Sequence, residues 1–308
     1  MEVCTPKNPF AKEGRGVYEL IKAGKRTYYV DCPAKMGIYQ MDGGACLIDS
    51  GSDREAAKKL LKILDQNGWK PRMVLNTHAH ADHIGGNQLI HQRALCPVYA
   101  PGVDRAFAEF PVLEPSFLYG GCPPKPLRNK FLLAQESPAR DLTEEVLPEG
   151  LTMIRLDGHS MAMAAFKTSD DVWFLADSLA SEAVLMKYHV SFLYDVRGFL
   201  DSLNRVEALQ GRLFIPSHAQ PAEDIRPLVR VNRDKVMEII DLVLRLCAGP
   251  STLEEILKGV FDHYGLRMDF NQYVLGGGTI RSYLSYLLDE GRVEAIFEDN
   301  RLLWRVAG

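Results

Sequence analysis

The chain has 308 residues, of which 46% are apolar and 25% charged, with a formal net charge of −4. This is a globular balance, long enough for one large domain or a large and a small one, and it excludes a generally basic protein that coats nucleic acid. No run approaches the ~18 apolar residues of a membrane helix, and "MEVCTPKNPFAKEGRG" has no apolar core of a signal peptide, so a cytoplasmic protein is expected.

In chain order, the first 50 residues read as short strands rich in Val, Ile and Tyr: "GVYELI", "TYYVD", "MGIYQMD" and "GACLID". Ala57, Leu60, Leu61 and Leu64 then recur at helical spacing, and "NGW" closes that helix. "RMVLNT" reads as a buried strand running into "THAHADHIGG", and "IGGNQLIHQR" as a helix. Residues 111–150 carry many Pro and Gly and no sustained period, which predicts a long insertion loop near the active site, a lid or a subunit contact. Strands return at "LTMIRLD", "AMAAFKT" and "VWFLAD", followed by a helix at "VRGFLDSLNRVEAL" and a strand at "GRLFIPSH". Strands then helix, twice over, fit a layered domain of two similar halves. Beyond residue 230 come the amphipathic helix "VNRDKVMEIIDLVLRLC", then "LEEILKGVFDHYG", capped by Ser251 or Thr252, then "TIRSYLSYLLDEG" and a hairpin of "RVEAIF" and "RLLWRV". Three helices and a hairpin suggest a small winged-helix-like unit over 229–308, after a catalytic domain over 1–228.

Six cysteines, Cys4, Cys32, Cys46, Cys96, Cys122 and Cys247, are scattered without a CxxC pair and read as reduced thiols. Cys122, in a Gly/Pro-rich stretch, is the one that suggests a pocket wall. The histidines are not scattered: His78, His80 and His83 stand with Asp82 inside six positions. Residues i and i+2 of an extended segment point the same way, so His78 and His80 can reach one metal. Asp82 and His83, at the start of a helix, diverge from that pair and suit a second metal nearby. Gly85 and Gly86 let the backbone pass close beneath. Further donors follow buried strands: His159 in "LDGHS", Asp177 in "FLADS" and His218 in "IPSHA". His91 and His263 read as ordinary helix residues.

HxHxDH followed by strand-end His, Asp and His resembles the metallo-β-lactamase-fold superfamily, and "LIDSG", with Asp49, matches that family's first motif. The resemblance covers roughly residues 15–225. It implies an α+β fold, a four-layered αββα sandwich with two metals in an edge groove. His78, His80 and His159 would hold the first metal, Asp82, His83 and His218 the second, and Asp177 would bridge them. Asp49 would support the metal loop, and Asp49, Asp82 and His83 would serve catalysis. The nitrogen and oxygen donors suit zinc foremost, with iron and manganese also compatible.

Such a centre makes a nucleophile from bound water at neutral pH, so no Ser–His–Asp triad is needed. The function expected is hydrolysis of a small ester, thioester or lactone. A metal-dependent nuclease acting on RNA or another phosphodiester is the rival, and β-lactam hydrolysis a side activity. "GHSMAMAAF" departs from the "GHTPGH" of many thioesterase and lactonase members, which argues against a glyoxalase II identity. In the insertion, Phe117 and Tyr119 are expected to bind an apolar substrate portion and Lys125 or Arg128 an anionic end; His189 is a further candidate for the groove wall. Residues 231–308 hold nine Lys and Arg against twelve Asp and Glu, so the C-terminal unit reads as a packing or dimerisation element and nucleic acid is not the expected partner.

Overall fold

A computed structural model of the chain describes residues 18–308. Residues 1–17, with Cys4 and the first two residues of "GVYELI", lie outside the described residues. The strands β1 (Glu19–Lys22), β2 (Thr27–Asp31), β3 (Met36–Met41) and β4 (Gly44–Ile48) form an antiparallel meander. Helix α1 (Arg54–Gln66) crosses back to β5 (Pro71–Leu75), which lies parallel to β4. Short helices α2 (Ala81–Ile84) and α3 (Asn87–Ala94) lead to β6 (Val98–Ala100). Helices α4 (Asp104–Glu109) and α5 (Leu113–Tyr119) precede β7 (Arg140–Asp141), which completes a seven-stranded sheet in the order β1 to β7. The second half comprises β8 (Leu151–Arg155), β9 (Ala164–Thr168), β10 (Val172–Ala180), α6 (Glu182–Tyr188), α7 (Val196–Ala208) and β11 (Leu213–His218), with a four-stranded sheet ordered β11-β10-β9-β8. The chain continues through α8 (Arg226–Leu246), α9 (Leu253–Tyr264), α10 (Phe270–Asp289) and the hairpin β12 (Val293–Glu298) and β13 (Arg301–Val306).

The period of two along each strand builds the layers. Tyr39, Cys46, Ile48 and Leu75 point inward and meet Phe166, Phe174 and Ile215 of the second sheet. Their neighbours Ile38, Leu47 and Val74 point outward, against Leu60 and Leu64 of α1 and Leu89 and Ile90 of α3. On the other side, Ala165, Trp173 and Leu175 meet α7 and α8. The result is the expected αββα sandwich. Helix α1 shows why its sequence commits to this place: Asp53 caps it by accepting from the backbone N–H groups of Glu55 and Ala56, and Leu60 and Leu64 are fully buried. Each such leucine is worth about 1.5–3 kcal/mol of apolar burial and the cap about 1 kcal/mol.

Two expectations need correction. The 111–150 stretch is not periodless: it contains α5, two turns of 3-10 helix (Lys125–Leu127 and Glu144–Val146) and β7. Pro115 falls in the first turn of α5, where no intrahelical N–H bond is required, and Gly120 ends it in the left-handed region. Helix α10 begins at Phe270, not Thr279, with Asp269 accepting from the Gln272 N–H, and runs through Gly276, Gly277 and Gly278. Those glycines look like a break in sequence, but Gly276 lies against Phe261 and Leu257 of α9, where a Cβ would stand 3.1 Å from the Phe261 ring. Helix α8 begins at Arg226, and one continuous core joins the second sheet, α7, α8, α9 and α10. No helix among the described residues is long and apolar enough to cross a membrane. Cys32, Cys46, Cys96, Cys122 and Cys247 are free thiols; Cys122 is exposed.

Candidate metal centre

The site lies at one edge of the sandwich, where several strands end. The segment after β5 presents His78 and His80, and α2 turns Asp82 and His83 toward them. The close approach expected beneath the site is real: a Cβ on Gly85 would lie 2.3 Å from the Ser52 backbone, and one on Gly86 2.3 Å from the Ser50 carbonyl oxygen. His159 follows β8, after Gly158 at φ +119°, where a Cβ would strike the Phe199 backbone at 2.1 Å. Asp177 lies inside β10 rather than at its end. Register shifts against β11 on both sides of Ala176, itself at φ +52°, re-aim the strand there. His218 closes β11.

These side chains converge in interlocking groups: His78, His80 and His159; His78, His83 and Asp177; Asp82, His83 and His218, each set with donor atoms within 4.8 Å of one another. His80 Nδ1 lies 3.0 Å from His78 Nε2 and 2.9 Å from His159 Nε2. Asp177 reaches both groups, with Oδ1 3.2 Å from His83 Nε2 and Oδ2 3.4 Å from His159 Nε2 and 3.2 Å from His218 Nε2. Asp82 Oδ2 is 3.2 Å from His218 Nε2.

The outer hydrogen bonds decide which nitrogens carry protons. His159 Nδ1–H donates to the Phe192 carbonyl at 3.1 Å, and His218 Nδ1–H to the Pro33 carbonyl at 2.8 Å. His83 Nδ1–H donates to Asp49 Oδ2 at 2.8 Å. Thr77 Oγ1 donates to Asp49 and so accepts from His78 Nδ1–H at 3.0 Å. Four imidazoles therefore turn Nε2 inward and His80 turns Nδ1, with lone pairs on the neutral His78, His80 and His159. Lone pairs at such distances repel unless a cation lies among them. His83 Nε2 and Asp177 Oδ1 are also buried without a hydrogen-bond partner. The donor set thus fits divalent metal ions, bound by imidazole nitrogen and carboxylate oxygen.

Asp49 organises this outer layer. Nearly inaccessible and at φ +63°, it accepts from Thr77 N–H at 2.8 Å as well as from Thr77 Oγ1 and His83. Electrostatics divide the centre. Burial pushes His80 down to about 3, and burial with neighbouring imidazoles also lowers His78 and His159. Burial works against charge on His218 too, but the carboxylates of Asp177 and Asp82 more than offset it and lift His218 to about 10. His83 is raised in the same way by Asp177, Asp82 and Asp49. Asp82 and Asp177, despite burial, are held well below the usual carboxylate range by His83 and His218.

Beside His80 lies a small pocket of about 20 Å³, lined chiefly by Phe107, Glu114, Phe117, Phe192 and Tyr194, with Asp104 at its base. Asp104 joins the loops that carry His78, His80 and His159 by accepting from Ala79 N–H at 2.9 Å and Ala162 N–H at 3.1 Å; burial raises it to about 7. Burial, then Asp104 and Asp82, push Glu114 up to about 8. Sequence reasoning missed Asp104 and Glu114, because a carboxylate in a short helix reads as a solvated charge. The aromatic "SFLYD" after α6 was the available clue to Phe192 and Tyr194.

Of the substrate residues expected from sequence, the structure brings Phe117 to this pocket. Tyr119 instead packs at 6.2 Å against Phe270 of α10. Lys125 and Arg128 are exposed around the 3-10 turn that rests on α10, outside the pocket lining. His189 stacks on Tyr264 at 4.2 Å, between α6 and α9, and does not line the groove. His91 ties α3 to the Cys96 carbonyl, and His263 is exposed beside Tyr264.

The chain resembles known structures over nearly its whole length. A beta-lactamase domain protein from Burkholderia ambifaria superposes with a TM-score of 0.78 at 19% identity, covering 97% of each chain. A metallo-beta-lactamase family protein from Thermus thermophilus gives 0.70 at 18% identity, covering 94% of this chain and 98% of the other. In sequence, a hydroxyacylglutathione hydrolase from Methylococcus capsulatus is 42% identical over 53 residues, 17% of this chain and 21% of that protein, so the match spans only about a fifth of the relative. The family model of the metallo-beta-lactamase superfamily matches residues 30–218, the span that contains Asp49 and every inward-facing donor, and the chain belongs to that superfamily of metal-dependent hydrolases.

Proposed function

We propose that this enzyme holds two divalent ions, zinc foremost, and hydrolyses a small ester, thioester or lactone. The observation that carries this reading is the pair of inward-facing triads, His78/His80/His159 and Asp82/His83/His218, joined by Asp177. When bound, such ions supply an ionised water at neutral pH and an electrophile for a carbonyl oxygen. The chain's own residues do the rest. Asp49, Thr77 and the Phe192 and Pro33 carbonyls fix the imidazole tautomers, so the ligands need no rearrangement. Phe107, Phe117, Phe192 and Tyr194 exclude water beside His80 and form the wall against which a substrate group can pack. No Lys or Arg lines that pocket, which speaks for an acyl substrate over RNA or another phosphodiester. Local similarity to proteins named hydroxyacylglutathione hydrolase is compatible with a thioester.

The test is a panel of acyl esters, thioesters, lactones, β-lactams, phosphodiesters and RNA offered to zinc-loaded protein. Turnover of acyl substrates is expected. Strong turnover of RNA with none of the acyl compounds would overturn the reading.

A further inference from the structure

Among the described residues, no Lys or Arg lines the pocket that holds Glu114. Its side chain is 12% exposed and lines the pocket beside His80. Among the described residues its nearest basic neighbour is His80 Nε2 at 3.8 Å, beyond hydrogen-bonding range. Asp104, on the same pocket, already serves two backbone N–H groups, and Asp82 and Asp177 face the metal centre. Three of the pocket's walls are phenylalanine rings and a fourth is Tyr194. A buried carboxyl group among aromatic rings, in a pocket without Lys or Arg, gains by ionising against a cation that enters there.

We propose that Glu114 determines specificity, and that the pocket receives a small primary ammonium group carried by the substrate close to its scissile carbonyl. The volume of about 20 Å³ admits one such head and is too small for a trimethylammonium. The ammonium donates to Glu114 and lies against the ring faces, which attract a cation. This deepens the acyl-hydrolase reading and rests on it for the carbonyl, while the ammonium site itself is tested separately.

Two measurements on the zinc-loaded full chain decide the matter. The first compares kcat/KM for phenyl β-alaninate with that for its near-isostere phenyl butyrate. The ratio is expected to fall about tenfold or more in Glu114→Gln, the factor that a charge-assisted hydrogen bond is worth. An unchanged ratio overturns the proposal. So does a variant that loses zinc while keeping the ratio, since Glu114 would then orient His80. The second follows binding of propylammonium chloride by ligand-observed NMR, with 1-propanol as the neutral control. Propylammonium should bind the wild type better than propanol, and equal binding overturns the proposal without any variant. Should no ester of either kind be turned over while propylammonium binding still depends on Glu114, the acyl reading falls and the ammonium site stands.

Discussion

Asp49→Asn isolates the outer layer from the metal ligands themselves. Asparagine tolerates the left-handed backbone at φ +63° better than other residues, so the fold should survive. Its carbonyl oxygen can replace Oδ1 toward the Thr77 N–H, 2.8 Å away. Its NH₂ then occupies the place of Oδ2, which accepts from both Thr77 Oγ1 and His83 Nδ1–H at 2.8 Å. A donor facing a donor forces His83 into the other tautomer, with its proton on Nε2, the atom that should hold metal. Loss of such an outer partner costs about 10- to 100-fold in metal affinity, roughly 1.4–2.7 kcal/mol. The loss should fall on the Asp82/His83/His218 site and spare the other. Competition against a chelator, read by metal analysis, measures both affinities, and the ¹⁵N shifts of His83 in the zinc-loaded protein report which ring nitrogen carries its proton. A folded Asp49→Asn protein that binds both ions as tightly as the wild type would refute the tautomer argument.

Protein purified without chelator should carry close to two metal ions per chain, and His80→Ala, which removes a ligand but no core contact, should abolish hydrolysis; metal analysis and circular dichroism check both. The metal-free protein should be most stable near pH 6.5. Below it, His78, His80 and His159, depressed in the folded state, cost stability as the unfolded chain takes up protons; above it, the contribution of His83 and His218 is lost as pH rises toward about 10. A flat profile of melting temperature against pH, without metal, would contradict this. Phe117→Ala should raise KM by about tenfold, while Tyr119→Ala and Arg128→Ala, placed against α10 and in solvent, should stay within about twofold; steady-state kinetics decides. Gly158→Ala, at φ +119° and against the Phe199 backbone, should destabilise the fold by several kcal/mol and displace His159, as seen by thermal melting and metal content.

The converging His and Asp donors were legible in sequence because their chemistry is rare and their setting repeated: histidines two apart, then donors behind apolar strands. Asp49 was legible through its motif. The pocket was not, because its walls come from α4, α5 and the 192–194 segment, which meet only in three dimensions. Lys125 and Arg128 attracted attention as charges in a long insertion, yet α10 takes that insertion as a packing surface, through Val274 against Leu118 and Leu127. Helix α10 itself was half hidden, since Gly276 to Gly278 disfavour a helix locally and packing against α9 overrides that preference.

The contacts of α10 bear on how this enzyme can be altered. Ser282 donates to the Tyr194 carbonyl and Thr279 accepts from the Leu193 N–H, so the C-terminal helix holds the pocket wall from behind. Asn271 bonds Asn129, and Val274 seats α5 through Leu118. The C-terminal segment is therefore no interchangeable appendage: grafting it from a distant relative would reshape the cleft, and deleting it would remove the support behind Tyr194 and α5. It also offers a route for selection. Substitutions in α10 reach the pocket through Tyr194 and α5 while every inward-facing donor stays untouched.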